Sequence, residues 1–299
     1  MRFSNRKYLL ILGVMLLASL ACARTIVPVG SRPTTTPTPP LVLTQTIAQA
    51  TYIPGPGSLY AIVRVPPGET LPVRRPAGIA GTIVEELPYD QHGIRLTGNT
   101  TRLGSSTWVE IRALGGITGW VNSINLTEDV TPESFCSDPR VLDLLEQLGN
   151  AIGQQNDQLL QEIVYPVRGL TVRHDWWNPE IVLTTNDLRG IFQDPSEREW
   201  GERVGTGSVI RGSFSDVILP LLLDVVTGSP SVVCNQLETG VTGRSPEWPA
   251  EYVNINFYSL YDPAAEASNE FDWSSWAVGI EFYNGDPYVS LLVHYEGDL

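Results

Sequence analysis

The sequence predicts a multidomain chain in which a small all-β barrel precedes an α+β domain with a long N-terminal helix packed on a curved antiparallel sheet. Three observations predict it. Residues 59–126 break into short β-branched runs punctuated by Gly, Pro and Asn, the pattern of a small barrel. Residues 139–163 carry apolar positions at near-helical spacing, and the last fifty residues read as long strands around an Asn-Gly turn.

The chain opens with Arg2, Arg6 and Lys7 and then runs uncharged and apolar from Tyr8 to Ala21, the layout of an export signal. At about 1.5 Å per residue this run spans roughly 21 Å, short of a hydrocarbon core of roughly 30 Å. A cleaved signal is therefore expected over 1–22. Leu17-Ala18-Ser19-Leu20-Ala21-Cys22 resembles a bacterial lipoprotein signal, with Cys22 as the lipidated first residue of the mature protein. That resemblance implies a membrane-anchored lipoprotein facing the extracytoplasmic space. Ordinary secretion, with cleavage near Ala21, is the alternative.

Without Cys22 the cysteines are an even pair, Cys136 and Cys234. In an oxidising compartment such a pair is expected to be bridged, the alternative being two buried thiols. The bridge would close about a hundred residues, worth roughly 4–5 kcal/mol in the chain-entropy model. The formal charge is −14, and losing the three cations of the signal takes the mature chain to about −17. Such a surface repels polyanions, and no Lys/Arg cluster is present to neutralise phosphates, so no nucleic-acid partner is expected.

Residues 23–56 are rich in Thr, Pro, Val and Gln, centred on Thr34-Thr35-Thr36-Pro37-Thr38-Pro39-Pro40. That composition cannot bury a core and reads as a disordered, semi-stiff spacer. The barrel follows at 58–127. Leu71-Pro72-Val73-Arg74 with Pro76 and Gly78, then Trp108-Val109-Glu110-Ile111, then Gly119-Trp120-Val121-Asn122 with Leu126, resemble in order the blocks of the bacterial SH3 (SH3b) family. The resemblance implies an SH3-like barrel and, as partner, cell-wall peptide or glycan. Pro72 stands where the family has Asn, and Pro88 to Ser106 is longer than its usual connection, so Gly98-Asn99-Thr100-Thr101 is expected in an enlarged loop. Trp108 and Trp120 are candidates for stacking on a ligand; the alternative is that they fill the barrel core.

The last domain is expected over 134–299. Asp138 and Pro139 suit the cap and first position of a helix running to about 163, with Val141, Leu145, Leu148, Ile152, Leu159 and Ile163 on its buried face. A short helix is expected near Asn186, and another from Ser215, bent or delayed by Pro220. Tyr252–Tyr261 reads as a strand, and Trp276–Tyr283 with Tyr288–Tyr295 as a hairpin around Asn284-Gly285. This order, with Tyr165-Pro166-Val167-Arg168-Gly169-Leu170 and Trp273-Ser274-Ser275-Trp276 leading to Val293-His294, resembles NTF2-like or cystatin-like lipoprotein domains. The resemblance implies a possible homodimer through open sheet faces.

His174, Trp176 and Trp177, with His294 on the last strand, are the candidate ligand-binding residues of this domain. An enzyme or small-ligand-binding protein would need His174 and His294 to meet across one cavity; otherwise His174 ends a strand and the tryptophans cover the core. No His-x-x-x-His, Cys-x-x-Cys or Gly-x-Ser-x-Gly spacing is present, so no metal, cofactor or catalytic residue is assigned. Gly205-Thr206-Gly207-Ser208 lacks the P-loop lysine and reads as a turn before a strand. The preferred expectation is a non-enzymatic, membrane-anchored envelope protein.

Overall fold

The computed structural model describes residues 58–263 and 271–297. Cys22, the expected signal and the spacer lie outside the described residues. The described chain is mostly β, with few helices and a curled antiparallel sheet.

Seven strands make the first sheet: β1 (Leu59–Ile62), β2 (Thr70–Arg75), β3 (Thr82–Pro88), β4 (Ile94–Leu103), β5 (Ser106–Arg112), β6 (Thr118–Asn122) and β7 (Leu126–Glu128). Their order is β3-β2-β6-β5-β4-β1-β7, every neighbour antiparallel. Because successive strand residues face opposite sides, Leu71, Val73, Val109, Ile111 and Val121 point one way. With Ile62, Ile94 and Leu126 they close an apolar core. Gly119 is required there, since a Cβ would stand 2.6 Å from Val73 Cγ1. Gly98–Thr101 do not form the expected enlarged loop. They belong to β4, whose register against β5 shifts between Leu96 and Thr100, and the Glu110 carboxylate holds the irregular stretch by accepting from Thr97 Oγ1 and Asn99 Nδ2, each at 2.7 Å.

Three helices follow: α1 (Pro132–Ser137), α2 (Pro139–Gly153) and α3 (Asp157–Ile163). Asp138 caps α2, accepting from the Arg140 backbone N–H at 3.0 Å, with Pro139 at the first helical position. The single helix expected to 163 is broken. Gln155 takes φ +50°, and Asn156 restarts the helix by accepting from the Leu159 N–H at 3.1 Å. The last helix, α4 (Phe214–Val226), is capped by Ser213 and runs through Pro220 instead of being delayed by it. Near Asn186 the chain makes successive turns and no helix.

The second sheet is ordered β12 (Ser231–Cys234), β13 (Asn256–Asp262), β14 (Ser274–Tyr283), β15 (Asp286–Glu296), β8 (Leu170–Arg173) and β9 (Ile181–Leu183). All neighbours are antiparallel except β15 and β8, which run parallel. Asn284 and Gly285 both have positive φ, as a tight hairpin requires. Tyr258, Leu260, Trp276, Val278, Ile280, Phe282 and Leu292 pack under the helices. Phe257, Ala277, Leu291, Val293 and Tyr295 form a core on the other face with Tyr252, Ile255 and Trp273, and Trp248 stacks on Phe257 at 4.3 Å. Burial on both faces is why β14 and β15 read as nearly unbroken apolar runs. A separate hairpin of β10 (Arg198–Glu202) and β11 (Val209–Gly212) precedes α4. The expected bridge is present: Cys136 at the end of α1 is disulfide-bonded to Cys234 at the end of β12.

A polar seam ties the first sheet to the second. The guanidinium of buried Arg168 pairs with buried Glu281 and donates to the carbonyls of Ile124 and Leu126 at 3.1 and 3.2 Å, lying 4.6 Å from the Tyr165 ring centroid. Asn254 and Asn256 donate side-chain N–H groups to the carbonyls of Ile62 and Val130, each at 2.8 Å. Glu128 of β7 accepts from the Gly285 N–H at the hairpin turn.

Candidate functional site

Strand register determines what the first sheet presents. Trp120 of β6 is paired on one side with Arg74 of β2 and on the other with Glu110 of β5. Its chain neighbours Gly119 and Val121 are buried, Val121 in the core, so the half-buried indole faces outward. Arg74 is paired in turn with exposed Ile83 of β3. A transverse row therefore crosses four strands, Ile83, Arg74, Trp120 and Glu110, and ends on Thr97 and Asn99, whose side chains donate to the Glu110 carboxylate. Those two hydrogen bonds hold the Glu110 pKa below the usual carboxylate range. Arg74 is positioned by donating to the Gly81 carbonyl at 2.9 Å. Trp108 pairs with Asn122, two residues along from the Trp120–Glu110 pair, and so belongs to the same outer face. It is buried but stands apart from the apolar core cluster. Of the two tryptophans, Trp120 is half-buried and Trp108 is buried.

In the second part of the chain the two candidate histidines do meet, their ring centroids 6.0 Å apart and nearly perpendicular. They have different environments. His294 is fully buried, with the Trp276 ring centroid 4.8 Å away. Its Nδ1 lies 2.9 Å from the His174 carbonyl and its Nε2 lies 2.9 Å from Ser274 Oγ. A carbonyl only accepts, so Nδ1 carries the proton and Nε2 accepts from the serine hydroxyl. Burial, reinforced by His174, lowers the His294 pKa to about 3. This imidazole is neutral, with both nitrogens committed.

His174 follows directly on β8, as a strand-end residue. Its Nδ1 is enclosed without a hydrogen-bond partner, and burial, then the positive charge of Arg203, lowers its pKa to about 4. It borders a cleft of about 380 Å³ whose other walls come from the β10–β11 turn and the end of β15, including Glu202, Arg203, Thr206, Ile210 and Glu296. Asp175 also borders it. Gly205–Ser208 form the turn expected of them, closed by the Arg203 N–H donating to the Ser208 carbonyl at 2.9 Å. Trp176 packs against the core on the sheet face opposite the helices. Trp177 lies under the Arg244 guanidinium, 4.8 Å from its ring centroid.

Arg74 and Glu110 were not legible as partners of Trp120, because the sequence does not show which strands adjoin. Arg203 and Glu202 carried only the signal of flanking a glycine-rich turn. Among the described residues no group of three or more His, Cys, Asp or Glu side chains could hold a metal ion, and no helix is long and apolar enough to cross a membrane. No protein-family model, curated protein or solved structure matches the chain.

Proposed function

We propose that this chain is an exported lipoprotein, anchored through a lipid on Cys22, that binds the cell envelope without catalysing a reaction. In this reading the first sheet is an SH3b-like barrel that takes cell-wall peptide or glycan on its outer face. The second part is an NTF2-like α+β body to which the polar seam fastens it. The observation that carries the binding role is the row Ile83, Arg74, Trp120 and Glu110. An indole face offers apolar area to a sugar ring or peptide side chain, and a cation and a carboxylate at its two edges can hydrogen-bond the polar substituents of either ligand. The disulfide suits an oxidising extracytoplasmic compartment.

An enzyme built on the histidine pair is disfavoured by the state of His294. A general acid or base must reach the reacting proton with a pKa near the working pH, whereas this ring is enclosed and neutral. The test is cosedimentation of the full chain, in detergent, with purified peptidoglycan. Retention at moderate salt that falls severalfold with Trp120→Ala is expected; absence of retention, or retention indifferent to that substitution, overturns the proposal.

A further inference from the structure

Where the first sheet meets the second part of the chain, several segments converge on one exposed histidine. His92 lies in the loop between β3 and β4, and its Nδ1 stands 2.8 Å from Asp129 Oδ1. The other oxygen of that carboxylate accepts from the Gly93 backbone N–H at 3.1 Å. Asp129 follows β7 directly and precedes Val130, which belongs to the core under the helices. Its own N–H donates to the Leu59 carbonyl at 2.8 Å, and the Ile62 N–H donates to the Gln91 carbonyl at 3.0 Å. The β3–β4 loop, β1 and the junction are thus one hydrogen-bonded unit. The second sheet reaches the same place through Asn254, two residues before β13, whose side chain donates to the Ile62 carbonyl.

The chemistry of His92 makes that unit sensitive to pH. A carboxylate only accepts, so Nδ1 carries a proton whether the ring is neutral or charged. The second proton is the one that titrates, and it turns the contact into an ion pair. The hydrogen bond to Asp129 raises the His92 pKa above 6.5; burial opposes the rise, and the charges of Asp129 and Asp90 and the Asn254 side chain reinforce it. In return, the hydrogen bond from His92 holds the Asp129 pKa below its usual range. Burial lowers the other two histidines, His174 and His294, to about 4 and about 3. His92 is therefore the histidine that changes charge near neutral pH.

We propose that His92 is a pH-dependent clasp between the two parts of the chain: as an imidazolium it pairs with Asp129 at the junction and engages Asn254 ahead of β13, and on deprotonation this hold weakens. A group whose pKa is raised in the fold contributes fully below its unfolded value of about 6.5, and the contribution fades as pH rises through the folded value. A neutral ring still donates one N–H to Asp129, so the junction loosens without parting. The clasp uses no residue of the Trp120 row and stands apart from the binding role proposed for it.

The test is a pH titration of the full chain in detergent across neutrality, followed by NMR of the histidine rings and of the glycine and asparagine amides. One ring should titrate above 6.5; that signal should be absent from His92→Gln and displaced to lower pH in Asp129→Asn. The Gly93 N–H and the Asn254 side-chain amide should shift with the same midpoint. The parent's Tm should fall relative to that of His92→Gln as pH rises through that midpoint. A His92 pKa at or below 6.5 overturns the proposal, as do Gly93 and Asn254 signals that ignore its titration, or parallel Tm curves for the two proteins.

Discussion

Replacing Arg168 by Met removes the charge at the centre of the seam between the two sheets. Its partner Glu281 has a side chain only 2% exposed, so the carboxylate would be left as an uncompensated buried charge, and the carbonyls of Ile124 and Leu126 would lose a donor. Breaking a buried pair from one side costs about 3–5 kcal/mol. For a unit of this size about 2–4 °C of Tm accompanies each kcal/mol, so a fall of roughly 6–20 °C is expected. Arg168→Met, Glu281→Leu and the double variant would be compared by thermal and urea unfolding with the disulfide kept oxidised. Because the orphaned charge causes most of the loss, the double variant should be far less damaged than the sum of the singles. An Arg168→Met protein within about 1 kcal/mol of the parent, or strictly additive singles, would refute the reasoning.

Reducing the Cys136–Cys234 bridge, or changing both cysteines to Ser, releases a loop spanning a sequence separation of 98 residues and should cost up to about 4–5 kcal/mol; an unchanged urea midpoint would contradict this. His294 is neutral in the fold because burial lowers its pKa to about 3, against about 6.5 when unfolded. The unfolded chain therefore gains the proton first, so this contribution is full above pH 6.5 and is lost as pH falls towards 3, at up to about 1.4 kcal/mol per pH unit. His294→Gln should flatten the acid limb of stability between pH 6.5 and 4, and a limb parallel to the parent's would count against the assignment.

Local chemistry was the legible part of this fold. The Asn284-Gly285 turn, the Asp138-Pro139 helix start and the pairing of Cys136 with Cys234 each depend on residue types whose preferences act over a few positions or on a simple parity of cysteines. What escaped the sequence depends on register and on distant partners. The helix break at Gln155–Asn156 interrupts an apolar period that continues on both sides. The β4 irregularity looked like a loop because Gly98 and Asn99 are turn residues, and the pairing of β4 with β5 on either side, together with Glu110, keeps them in the sheet. The outward direction of Trp120 follows from which residues of β6 enter the core. The cleft joins the β10–β11 turn to the ends of β8 and β15, with lining residues spread from His174 to Gly297, so no local pattern could reveal it.

The claim that the outer row of the first sheet meets the cell wall is tested most directly by site-specific photo-cross-linking. A photoreactive residue would replace Ile83, 45% exposed in the row, or Val209, 55% exposed on β11, in the full chain bound to purified peptidoglycan. Adducts carrying wall fragments from position 83 and none from position 209 are predicted. Adducts from position 209 alone, or none from position 83 on retained protein, would contradict the account.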